Sequence, residues 1–178
     1  MSHADATAVL REVARGHDNE DVQREAIKGL ADWAPDKATV DLLESVVRTG
    51  SPGVRREALE ALGGIDDGYA RERLSVLLRE HDDPEIRMEA VEALVESVTS
   101  EQAVAHLKQV VSTDPSRDVQ EEALESLVEL PGGVGVDAVL EIARAHPNAA
   151  LRRKALELLL ESDDPRARAV FERALATP

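Results

Sequence analysis

The sequence predicts an all-α chain: a right-handed α-solenoid of about five and a half helical hairpins. Three observations carry that expectation. One frame of residues recurs along the chain, the apolar residues keep helical spacing, and turn residues punctuate each copy at matching places.

The frame is clearest at residues 51–65, SPGVRREALEALGGI, and returns at 19–33, 83–97, 116–130 and 148–162. Its anchors are an aliphatic residue, an Ala four positions on, and a Leu four further. They fall at Val22/Ala26/Leu30, Val54/Ala58/Leu62, Ile86/Ala90/Leu94, Val119/Ala123/Leu127 and Leu151/Ala155/Leu159. Successive first anchors are 32, 32, 33 and 32 residues apart. A fixed period of this size marks a stacked array in which each unit buries one face on the next. The whole span 1–178 therefore reads as one repeat domain.

Second helices are expected between the anchor helices. Residues 4–15 carry Val9, Leu10, Val13 and Ala14 on one face, and 37–48 carry Leu42, Leu43, Val46 and Val47. Residues 68–80 carry Leu74, Leu77 and Leu78; 101–111 carry Val104, Leu107, Val110 and Val111. Residues 134–145 carry Val139, Leu140, Ile142 and Ala143, and 166–176 carry Val170, Phe171, Ala174 and Leu175. The spacing is i, i+3, i+4, i+7 throughout, without the alternation of a strand, so about eleven helices are expected.

Ser51-Pro52, Asp83-Pro84 and Asp164-Pro165 each set an N-cap acceptor before a Pro at the first helical position. Asp114-Pro115 does similar work ahead of the fourth anchor helix, and Gly63-Gly64 and Pro131-Gly132-Gly133 end helices. The single step of 33 predicts a lengthened turn over 112–117.

Composition narrows function. Hydrophobic residues make up 43% of the chain, nearly all Ala, Leu and Val, while Phe, Tyr and Trp occur once each. Such thin side chains suit close helix packing rather than a pocket for a large flat ligand. The net charge of −15, with four Lys against seventeen Arg, argues against nucleic acid, whose binders cluster cations and stacking aromatics. The acidity itself is open between binding, solubility and salt adaptation. The absence of Cys excludes disulfides and thiolate sites. The N-terminus lacks a basic segment followed by an apolar run, and no stretch approaches the ~20 apolar residues of a membrane span. A cytoplasmic location is the expectation, although a trimmed extracytoplasmic domain would look the same.

The run Asp83-Pro84-Glu85-Ile86-Arg87-Met88-Glu89-Ala90 is the cleanest copy of a unit with the pattern Asp-Pro-x-Val-Arg-x-x-Ala-x-x-x-Leu. It resembles the short HEAT-like repeats named after the phycobilisome lyases, and the resemblance covers essentially the whole chain. The resemblance implies the fold and leaves activity open, because these repeats occur in lyases, hydroxylases and many bacterial or archaeal scaffolds. A phycobilin lyase is disfavoured by the scarcity of aromatics. A deoxyhypusine hydroxylase would need His-Glu pairs on the anchor helices. The matching positions here read Arg24-Glu25, Arg56-Glu57, Met88-Glu89, Glu121-Glu122 and Arg153-Lys154. HEAT-like DNA glycosylases are disfavoured by the charge.

No catalytic residue, metal site or cofactor is expected. His17, His81 and His146 share one repeat position and lie too far apart to ligate a single ion. They are expected to close helix C-termini, where positive charge is favoured. Gly133-Val134-Gly135-Val136-Asp137-Ala138 matches a dinucleotide fingerprint but follows a helix, so it reads as a turn. The Asp pairs at 66–67, 82–83 and 163–164 lack the loop of a calcium site and cap helices instead. Arg55, Arg87 and Arg152 recur just after the first anchor and read as a structural ladder to a turn Asp or carbonyl of a neighbouring unit.

What remains is the exposed row of the anchor helices, two, three, six and ten positions after the first anchor. It reads Arg24, Glu25, Lys28, Asp32, then Arg56, Glu57, Glu60, Gly64. In the middle come Met88, Glu89, Glu92 and Glu96, then Glu121, Glu122, Glu125 and Glu129; Arg153, Lys154, Glu157 and Glu161 close it. The resemblance implies that these helices line the concave side. The expected function is a non-enzymatic protein-interaction scaffold that takes a basic peptide or protein segment on the acidic middle of this face. The second reading is a structural spacer within a larger regulatory protein, with Val170, Phe171 and Leu175 awaiting another hairpin.

Overall fold

The computed structural model describes residues 3–167. They form ten α-helices and one 3-10 turn, with no strand among the described residues. Val170, Phe171, Ala174 and Leu175 of the last expected helix lie outside the described residues. The chain divides into two compact units, Met1–Ser97 and Val98–Pro178.

The first unit holds α1 (His3–Gly16), α2 (Glu20–Trp33), α3 (Lys37–Thr49), α4 (Pro52–Gly64), α5 (Gly68–Glu80) and α6 (Pro84–Ser97). They pair as hairpins α1–α2, α3–α4 and α5–α6, and the anchor helices α2, α4 and α6 stack on one another along their lengths. The second unit holds α7 (Ser100–Thr113), α8 (Arg117–Glu129), the 3-10 turn Pro131–Gly133, α9 (Val136–Ala145) and α10 (Ala149–Glu161). Here the hairpins are α7–α8 and α9–α10, with α8 against α10.

The anchors are the core. All are at most 4% exposed except Val22, which is 43% exposed on the outer side of the first hairpin. The small anchor Ala lets the paired helices approach closely. Between stacked anchor helices the approach is tighter still: a Cβ added to Gly63 would lie 2.8 Å from the Ala93 carbonyl oxygen. Gly135 is equally constrained at the α8–α9 corner, since a Cβ there would overlap the Leu127 carbonyl.

Capping follows the sequence at most ends. Asn19 Oδ1 accepts from the Asp21 and Val22 amides, Asp83 Oδ1 from Glu85, Asn148 Oδ1 from Ala150 and Asp164 Oδ1 from Arg166. Thr99 and Gln102 form a reciprocal capping box on α7. Ser51 departs from expectation. Its buried hydroxyl makes no cap bond to α4, whose first position is Pro52 and needs no acceptor there. The lengthened turn expected over 112–117 is also absent. That turn spans three residues, as do those before α2, α6 and α10, and the extra residue is absorbed because α6 and α7 each run to 14.

A common device closes the first helix of four of the five described hairpins. Arg55 Nε donates to the Gly50 carbonyl (2.6 Å), Arg87 Nη1 to His81 (2.7 Å) and Arg152 Nη1 to His146 (2.6 Å). Gln23 Nε2 donates in the same way to Ala14 (3.0 Å). These carbonyls belong to the hairpin that carries the donor; Arg55 also reaches the next one, 3.5 Å from Asp83. At the same corners the Nδ1 atoms of His17, His81 and His146 accept from the amides of Asn19, Asp83 and Asn148 at 3.1–3.2 Å. The histidines therefore accept at the turn, and His81 and His146 also stand as the C-caps of α5 and α9.

The first helices of the hairpins are joined by polar rungs instead. Arg11 binds Asp36 (2.5 Å) and Thr39 (3.2 Å), and the Tyr69 hydroxyl donates to Asp41 (2.6 Å). Arg73 grips the nearly buried Glu44 with two bonds (2.6 and 2.5 Å), and Arg48 adds a third at 2.8 Å. In the second unit Lys108 binds Glu141 at 2.6 Å. Burial pushes the Glu44 carboxyl up, but the guanidinium groups of Arg73 and Arg48 outweigh it and hold the group below its ordinary value.

Three outcomes test this account. Leu62→Ala should cost about 2–5 kcal/mol in urea unfolding, because Leu62 is fully buried. Gly63→Val should destabilise by about 1–3 kcal/mol or more, against the usual gain from removing a helical Gly. A carboxyl whose pKa is depressed on folding stabilises above its unfolded value and stops doing so as pH falls through the folded one. Melting temperatures of wild type and Glu44→Gln should thus differ at neutral pH and converge below about pH 4.

Candidate interaction surface

In the first unit the anchor helices touch along their lengths, and polar rungs join α1, α3 and α5. The anchor row runs along the stacked helices α2, α4 and α6. On α6 it presents Met88 and Glu89, both half-buried, and Glu92 and Glu96, both exposed. None of these three carboxylates has an ion pair among the described residues. Burial pushes the Glu89 carboxyl up, Arg56 pulls it down through space, and Glu92 and Glu85 raise it further.

One position read as exposed is not. Glu57, on α4, is 8% exposed and lies 3.4 Å from Lys28 of α2. Glu57 and Lys154, each three after a first anchor, sit in the groove between two anchor helices of one unit. The groove between α2 and α4 encloses about 270 Å³ and is lined by Lys28, Ala31, Asp32, Glu57, Glu60 and Ala61. Arg56 pairs along its own helix with Glu60 at 3.4 Å.

In the second unit α8 carries Glu121, Glu122 and Glu125, all half-buried, and the exposed Glu129. Glu121 accepts from Arg117 and Glu125 pairs with Lys154 of α10, both at 2.5 Å. The Glu125 carboxylate holds the Lys154 ammonium in its charged form, raising its pKa above the ordinary value. A groove of about 350 Å³ between α8 and α10 is lined by Glu125, Val128, Glu129, Lys154, Leu158 and Glu161.

The pairs Lys28–Glu57 and Glu125–Lys154 were missed by reading helices one at a time. Their signal is a separation of 29 residues, from position six of one repeat to position three of the next. No group of three or more His, Asp or Glu side chains is placed to hold a metal among the described residues. No described helix is long and apolar enough to cross a membrane.

No curated protein matches the sequence significantly. Among solved structures the chain is similar to the complex of CpcE and CpcF of phycocyanin lyase from Nostoc sp. PCC7120. That match has 19% identity over 87% of this chain and 98% of the other, with a TM-score of 0.50. It is a likeness of fold. A designed armadillo repeat protein in complex with the peptide (KR)4 aligns over 97% of this chain and 91% of its own, at 20% identity and a TM-score of 0.34. The HEAT-repeat family profile matches residues 7–79 and 41–128, more than half of the sequence. The chain belongs to the HEAT-repeat family.

Proposed function

We propose that this chain is a non-enzymatic interaction scaffold that binds a basic peptide or protein segment on an acidic anchor face, that of α6 above all. The observation that carries the reading is on α6. Glu89, Glu92 and Glu96 line one helix face without an ion pair among the described residues, beside the adaptable apolar side chain of Met88. On α8, Glu129 is likewise exposed at the edge of a groove. Several acids elsewhere on the row are matched by cations of the same chain, as at Glu57, Glu60, Glu121, Glu125 and Glu157. A face with one sign of charge and no internal counter-charge steers and holds a partner of the other sign.

The test uses a fluorescent oligolysine peptide titrated by anisotropy. The triple variant Glu89→Lys, Glu92→Lys, Glu96→Lys should lose at least about tenfold in affinity with helicity intact. A charge-matched triple at Glu72, Glu80 and Asp82 should stay within about twofold, and added salt should weaken the wild-type complex. Equal losses in the two triples would reduce the effect to net charge and sink the reading.

A further inference from the structure

Within each unit, the residue nine positions after a first anchor faces the anchor helix that follows. Gly63 of α4 lies against Ala93 of α6, and Val128 of α8 lines one groove with Leu158 of α10. Position nine in α2, α4, α6 and α8 holds Ala31, Gly63, Val95 and Val128, none of them exposed. Position five is sealed in the same helices: Ile27, Leu59, Val91 and Leu124 are at most 1% exposed. α10 breaks this pattern and does so with larger side chains. Leu156, at position five, is 40% exposed, and Leu160, at position nine, is 64% exposed. The two stand one turn apart on one face of the helix. Ala149 and Arg153 continue that strip with the alternating steps of four and three of a two-helix seam. One exposed Leu is ordinary; a pair at the places where the other anchor helices are covered is half of a helix interface. We infer that a second copy of this chain covers the strip, with its α10 lying antiparallel to the first across a two-fold axis.

The charges of the helix select this occupant. Its cations come first, at Arg152, Arg153 and Lys154, and its acids last, at Glu157 and Glu161. Arg152 and Lys154 are engaged within the chain, by the His146 carbonyl and by Glu125. Arg153 is exposed, and its 3.5 Å contact with Glu157 is of the surface kind that contributes little. An α10 running the other way offers Glu161 to Arg153 and Arg153 to Glu161, with the leucines between them. The two-fold axis makes each such pair occur twice. A parallel α10 would instead set Arg153 on Arg153 and Glu161 on Glu161. Head-to-tail stacking of another anchor helix fails on the same ground. Within each unit, position six of one anchor helix pairs with position three of the next, as Lys28 does with Glu57 and Glu125 with Lys154. Position six of α10 is Glu157, and position three of the other anchor helices is Glu25, Glu57, Glu89 or Glu122. Like charges would meet in every such register.

This interface uses no residue of the α6 face and is tested apart from it. Sedimentation velocity of the full chain at about 0.15 M salt should show a monomer–dimer equilibrium. Its Kd should be on the order of tens of micromolar, as fits a contact built on one helix pair. Leu156→Glu with Leu160→Glu should weaken the dimer at least about tenfold, with the melting temperature of dilute protein unchanged. Arg153→Glu and Glu161→Arg, both at exposed positions, should each weaken it at least about threefold. The double variant Arg153→Glu, Glu161→Arg exchanges the two charges and should return to within about twofold of wild type. A wild-type chain still monomeric at about 500 μM would overturn the inference. So would a dimer that survives the leucine substitutions, or a double reversal as weak as its two halves combined. A large drop in melting temperature for the dilute leucine variant would overturn it too, because residues of the same chain, 168–178 among them, would then pack the strip.

Discussion

Each anchor helix turns an Ala and a Leu onto its neighbours at distances that leave no room for a larger group. Ala58, Ala90, Ala123 and Ala155 are fully buried, and Gly63 has no space for even one carbon beside Ala93. Dispersion and burial reward such contact only when it is continuous, so the small residue has to recur at the same height in every unit. The period of the sequence is the consequence. A repeat array gains stability from each unit and each interface, and no single interior residue serves the whole chain.

The close contact on the anchor side leaves the other helices to be joined by longer groups. Arg11, Tyr69 and Arg73 span from one first helix to the next with charged or hydroxyl ends, and the anchor row is left facing outward with its acids. The two sides of a hairpin thus use charge differently. On the first helices Asp41, Glu44 and Glu141 find a guanidinium or ammonium. On the anchor helices acids pair with a cation 29 residues away or four along the same helix, and Glu89, Glu92 and Glu96 of α6 have no such pair among the described residues.

The corners repeat in most units. In four of the five described hairpins a side chain one position after the first anchor donates to the end of the preceding helix, and in three a His accepts from the turn amide. Gln23 replaces Arg without loss of the bond, because the carbonyl asks only for a donor of the right reach. This satisfies backbone groups that a helix end would otherwise leave bare.

How much was legible in advance differs by range. The anchors, the period, the hairpins and most caps could be read from the sequence, since they depend on residues within one or two turns of each other. So could the acidic character of α6 and α8. The depth of position three could not: Glu57 looks like any surface acid until α2 is laid beside α4 and Lys28 closes over it. The partition of the acids into matched and unmatched ones has the same origin. Local spacing decides what each helix is, and the contact between helices, set by residues as small as Gly63, decides which charges meet.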